Sequence, residues 1–78
     1  MLVMESQDVS KLKSRAEEIL ESFYGPFSVW KVTFTSLTPQ NDKITICGFF
    51  FEDLAMTKRH QFTMVLDRYG KLYDCKIT

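Results

Sequence analysis

The hydrophobic period of this chain changes once, at Gly25-Pro26, from 3.6 residues to 2. Before that point Val9, Leu12, Ala16, Ile19, Leu20, Phe23 and Tyr24 recur at three- and four-residue steps, so they fall on one helical stripe. Lys11, Lys13, Arg15, Glu17, Glu18 and Glu21 fall on the other side, where Lys13 and Glu17 can pair across one turn. Ser6 or Asp8 can accept the unpaired amide protons at the start. Gly25 can turn left-handed just past the end, and Pro26 cannot continue a helix. The spacing predicts a helix over residues 8–24, behind a flexible extension over residues 1–6.

After Pro26 the pattern is that of strands. Trp30, Val32 and Phe34 alternate with Lys31, Thr33 and Thr35, as on a half-buried strand. Thr38-Pro39-Gln40-Asn41-Asp42 reads as a turn. A second strand runs from Lys43 to about Asp53, but its alternation slips: Ile44 and Ile46 share one phase, Phe49 and Phe51 the other. A bulge near Cys47-Gly48 would bring all four to one side, because one extra residue resets the register. Without it, Phe49 and Phe51 point away from Ile44 and Ile46. The third strand, Gln61 to Asp67, places Phe62, Met64 and Leu66 opposite Thr63 and Val65. Asp67-Arg68-Tyr69-Gly70-Lys71 makes a tight hairpin with Gly70 at the positive-φ position. The last strand, Leu72 to Ile77, alternates Tyr73, Cys75 and Ile77 with Asp74 and Lys76. A distorted helical turn fits Asp53-Leu54-Ala55-Met56 in the loop between strands two and three.

The fold class is therefore α+β: one N-terminal helix packed on a four-stranded antiparallel meander sheet, a single small domain over residues 1–78. A helix is about 10 Å wide, whereas four strands about 4.8 Å apart span nearly twice that. One helix cannot cover such a sheet. At 78 residues the core is thin, and seven Phe, three Tyr and one Trp are many for it.

The chemistry-bearing residues are few. Ten Lys+Arg balance ten Asp+Glu, which excludes a polybasic nucleic-acid binder. The longest apolar run, Ile46 to Phe51, is too short for a membrane helix, and the N-terminus lacks a signal-peptide pattern. Met4 is a second candidate start. Cys47 and Cys75 lie inside strand patterns on non-neighbouring strands, so they read as packing residues in a reduced, cytoplasmic setting. His60 is the only histidine, and no metal-ligand spacing, phosphate-cradling glycine loop or Ser/His/Asp grouping is present. No catalytic residue, metal or cofactor is expected, and an enzyme is not.

What stands out is aromatic. Phe49-Phe50-Phe51 puts large side chains on both sheet faces in either register, and Val65 and Leu72 add apolar groups to the face away from Phe62, Met64 and Leu66. Either Met1 to Met4 and the loops close over that second face, or it is an interaction surface made of Phe49, Phe50, Phe51, Val65 and Leu72. The expected function is a non-enzymatic protein-interaction module, homodimeric through a hydrophobic sheet face or an edge strand. One alternative is a single-stranded nucleic-acid binder using Lys58, Arg59, Arg68 and Lys71, with Trp30, Phe49, Phe50 or Tyr73 stacking on bases. In the meander Lys58 and Arg59 lie at the opposite end from Arg68 and Lys71. Another alternative is a small apolar ligand enclosed among Trp30, Phe49 and Phe62.

A helix followed by four strands that end in Val65-Leu66-Asp67-Arg68-Tyr69-Gly70-Lys71-Leu72 resembles the PepSY-like and cystatin-like α+β domains. PepSY-like domains often close with a strand, an Asp-x-x-Gly turn and another strand. The resemblance covers most of the chain as topology, and the Val65–Leu72 segment as motif. It implies the fold and, for PepSY domains, an association with the cell envelope or with protease regulation. It transfers no functional residue.

Overall fold

The computed structural model describes residues 6–78, with side chains from residue 9 onward. Helix α1 (Ser6–Tyr24) precedes strands β1 (Trp30–Gln40), β2 (Lys43–Phe51), β3 (Arg59–Asp67) and β4 (Leu72–Ile77). The strands form one antiparallel sheet in the order β1-β2-β3-β4, the meander expected from the alternation. Closure of the second face by Met1 to Met4, the extension before the helix and the side-chain caps at Ser6 and Asp8 lie outside what is described; Ser6 itself already belongs to α1.

The helix ends where its sequence stops supporting it. Gly25 takes φ +93° and its amide donates to the Glu21 carbonyl at 2.6 Å. Leu12, Ala16, Ile19 and Leu20 are buried, and they meet Ile44, Ile46 and Phe50 of β2 and Phe62, Met64 and Leu66 of β3 in one core. On the outer strands Val32, Phe34, Leu37, Leu72, Cys75 and Ile77 pack against that core but are only partly buried. This is the width mismatch made visible: the helix seals the two middle strands and leaves the flanks thin.

Two helix expectations change. Tyr24 takes the last contact with the sheet, its ring centroid 5.2 Å from Phe50 and 5.1 Å from His60. Phe23, about 100° around the helix from it, is left exposed. Lys13 does not pair with Glu17; its ammonium lies over the Phe34 ring at 5.5 Å, while Arg15 pairs with Glu18 at 3.2 Å. Arg15 also ties the helix to the β3–β4 hairpin, its Nε donating to the Gly70 carbonyl at 2.8 Å.

Of the two alternatives for the second strand, the one without a bulge at Cys47-Gly48 holds. β2 pairs with β3 in unbroken register from Lys43↔Asp67 to Phe51↔Arg59, so Phe49 and Phe51 do face away from Ile44 and Ile46. The irregularity sits in β1, between Trp30 and Thr33 and between Phe34 and Ser36, where Lys31 takes φ +53°. Gly48 is what lets β1 approach. A Cβ there would overlap the Thr33 carbonyl oxygen and sit 2.9 Å from Phe62 Cζ. β1 also runs further than its alternation suggests, through Pro39 to Gln40, and the turn shrinks to Asn41-Asp42 with Asn41 at φ +58°.

A second shift lies in β4, where Val65 pairs with Asp74 but Leu66 pairs with Leu72. Tyr73 is the extra residue, and one extra residue exchanges the faces on its two sides. Leu72 therefore lies opposite Leu66 on the helix side, not beside Val65. The hairpin before it is as expected: Gly70 has φ +84°, and Asp67 Oδ1 accepts from the amides of Tyr69 at 2.8 Å and Lys71 at 2.9 Å.

Candidate interaction surface: the open sheet face

Side chains directly opposite on paired strands share a face, so the register defines the side away from α1. At one end Trp30, Phe51 and Arg59 stand in a row, and next to it Thr33, Phe49 and Gln61. The middle is small and polar: Ser36, Cys47, Thr63 and Lys76, then Thr38, Thr45, Val65 and Asp74. At the far end are Gln40, Lys43 and Asp67. Tyr73 joins them, the Lys43 ammonium lying 4.1 Å from its ring centroid. Among the described residues no element covers this face.

The aromatic end is a built surface. Phe49 and Phe51 meet edge to face with centroids 6.0 Å apart, and the Arg59 guanidinium lies 4.1 Å from the Phe49 centroid. Trp30 is steadied by its indole N–H, which donates to the Phe27 carbonyl at 2.8 Å. Beyond the same end lie the turn after α1 and the loop between β2 and β3, and with the end of the helix they add exposed apolar groups. Phe27 is 82% exposed, and Phe23, Leu54 and Met56 are each more than half exposed. Apolar groups concentrated in this way mark interaction sites more often than singly scattered ones do.

Of the five residues expected to line one surface, three share the open face and two do not. Phe49, Phe51 and Val65 are on the open face; Phe50 is fully buried against the helix, and Leu72 is on the helix side. Trp30 and Tyr73 belong to the open face although alternation alone assigns them to the other phase. Only the bulges put them there, and no residue pattern in β1 or β4 announces a bulge.

The other constellations are not assembled. Lys58 and Arg59 lie at the aromatic end, whereas Arg68 and Lys71 lie in the hairpin past the far end of β3, about 27 Å along a nine-residue strand. Arg68 faces Asp42 at 3.9 Å. Trp30 and Phe49 face away from Phe62, so the three do not line one cavity. Cys47 is on the open face, 3.9 Å from the Thr63 hydroxyl, and Cys75 is on the helix side opposite Met64, so the sheet separates the two thiols. Burial, and then the charge of Asp74, push the Cys75 thiol up from its ordinary value, the reverse of an activated nucleophile. His60 stacks on Phe50 with Nδ1 3.2 Å from the Thr78 carbonyl and Nε2 3.5 Å from Glu52 Oε2, and touches neither cysteine. Among the described residues no three His, Cys, Asp or Glu side chains converge as metal ligands, and no helix is long and apolar enough to cross a membrane.

The loop that carries Leu54 and Met56 is held by one carboxylate. Asp53 accepts from the Thr57 hydroxyl and from the amides of Thr57 at 2.9 Å and Lys58 at 3.1 Å, and Met56 sits at φ +61°. The Thr57 hydroxyl above all, with these amides, holds the Asp53 carboxyl below the ordinary aspartate range. A depressed folded value means stabilisation that is present at neutral pH and lost as pH falls through that value. The protection of the Thr57 and Lys58 amides, taken relative to the unfolded chain at the same pH, is therefore expected to fall only on acidification below the ordinary aspartate range. Asp53→Ala, which leaves no acceptor, should remove that protection at every pH, and an unchanged Asp53→Ala profile would show that the carboxylate does not hold the loop.

Comparison of this chain with protein-family models, with curated proteins and with solved structures found no match.

Proposed function

We propose that this protein is a small non-enzymatic interaction module that self-associates through its open sheet face. The observation that carries the reading is the cluster of Trp30, Phe51 and Phe49, from two adjacent rows, on a face that no described element covers. Face rather than edge is favoured by the edges themselves. β1 carries two register shifts and Pro39, and β4 is six residues long with Asp74 and Lys76. Bulges, proline, shortness and charge all discourage strand addition. A chain of this length also gains more from extra burial than a larger one. The nucleic-acid reading has less support, because its cations are split between two ends of the molecule. Two thiols held apart by the sheet fit a reducing, cytoplasmic setting, and no cofactor enters this reading.

Light scattering coupled to size-exclusion chromatography tests it. The expected result is a dimer at tens of micromolar that becomes a monomer in Phe51→Glu, with the far-UV circular dichroism of the two proteins alike. A clean wild-type monomer at that concentration overturns the reading, whether or not an oligonucleotide binds.

A further inference from the structure

The self-association reading leaves the arrangement of the two copies open, and the distribution of side chains on the face selects one. We propose that two copies stack open face to open face about a two-fold axis running along the strands, so that β2 of each lies over β3 of the other. The inference rests on the reading above and deepens it. Two sheets related in this way admit two simple choices of in-plane axis, along the strands or across them. With the axis along the strands, the end carrying Trp30, Phe49 and Phe51 meets the same end of the second copy. Arg59 then lies over Phe51 of the second copy, Lys43 over its Asp67 and Lys76 over its Ser36. Each contact occurs twice, as a two-fold requires. With the axis across the strands, Arg59 meets Asp67, but Phe51 is laid over Lys43, Trp30 over Gln40 and Lys76 over itself.

Magnitudes decide between them. An exposed ion pair changes an equilibrium constant by about fivefold at most. Each large aromatic ring can remove roughly 150–250 Å² from water, but only if an apolar surface faces it. With the axis along the strands Phe51 and Phe49 lie over Arg59 and Gln61 of the second copy, and each ring comes one strand spacing from its own counterpart across the axis. An ion pair is kept as well, Lys43 with Asp67, and no like charges lie directly opposite. The face is about 19 Å by 30 Å, roughly 600 Å² per copy, which is the lower bound for a specific interface.

Thiol cross-linking distinguishes the arrangements. Stacked sheets lie about 10 Å apart, so a bifunctional maleimide of about that span is the probe. In Cys75→Ala, Cys47 is the only thiol, near the centre of the face, and reaches its counterpart with either axis. In Cys47→Ser/Cys75→Ala/Gln61→Cys the thiol sits one strand spacing from its counterpart when the axis runs along the strands. With the axis across, the two are about four residues further along, roughly 13 Å in addition to the sheet separation. The expected result is a covalent dimer from both proteins. A covalent dimer from the first but not the second overturns the axis while face-to-face packing stands. A dimer by light scattering with cross-links from neither overturns face-to-face packing while self-association stands. Monomers by light scattering remove the reading beneath both. Gln61 is exposed and Cys75 half-buried, and circular dichroism of each variant checks that it is folded.

Discussion

Phe50→Ala is expected to lose about 3–5 kcal/mol of stability, the usual result of emptying a fully buried aromatic site. Phe50 is 0% exposed, with ring centroids of Tyr24 at 5.2 Å, His60 at 5.3 Å and Phe62 at 6.3 Å. No neighbour can collapse into that space without abandoning its own contacts. A domain of this length has roughly 4–12 kcal/mol in total, so the variant should be close to unfolding at ambient temperature. Phe51→Ser, one residue away, should lose about 1 kcal/mol or less in dilute solution, because its ring stands on the opposite face. Urea denaturation with circular dichroism as the readout measures both. Equal losses at the two positions would mean that the faces of β2 are wrongly assigned.

Gly48→Ala is expected to lose about 3 kcal/mol, at the upper end of the range for overpacking. The cause is space and not backbone conformation. The added methyl would overlap the Thr33 carbonyl oxygen, a backbone atom of β1, and press on the Phe62 ring. A ring can rotate, but a carbonyl in a paired strand moves only with its strand. The pairing of Phe34 with Gly48 and the two register shifts around it should therefore be disturbed together. Amide shifts confined to β1 and Phe62, with a lowered urea midpoint, are the expected signature. Adding Phe62→Leu should recover little, because it relieves the ring and leaves the carbonyl. A wild-type midpoint for Gly48→Ala would sink this explanation of the β1 irregularity.

Legibility in the sequence tracks locality. The end of α1 is readable because Gly25 and Pro26 act within one turn, and the β3–β4 hairpin because Asp67 and Gly70 do the same. The strand order comes from short connections, which pair consecutive strands. The continuous register of β2 is readable only as one of two alternatives, since Gly48 reads equally well as a bulge or as a point of close approach. Phe62 and the Thr33 carbonyl choose between these, and they are distant in sequence. Spacing alone assigns Phe23 to the core, a rule that holds only while there is sheet beneath the helix. Tyr24 takes the last of it.

The candidate surface divides along the same line. Phe49 and Val65 are placed correctly by alternation because β2 and β3 are regular where they sit, so a period of two carries along them. Trp30 and Tyr73 are not, because each lies at an irregularity of an edge strand, and one extra residue exchanges the faces. By itself the sequence determined one helix, four strands that read as a meander, the hairpin between the last two, and a sheet too wide for its helix. Those come from periodicity and from residues with special backbone behaviour, both local properties. Which aromatic rings line the core and which stand on the open face was decided only by the tertiary structure. That choice is made by contacts between strands, where the space over Gly48 and the pairing of Leu66 with Leu72 outweigh the alternation written along each strand.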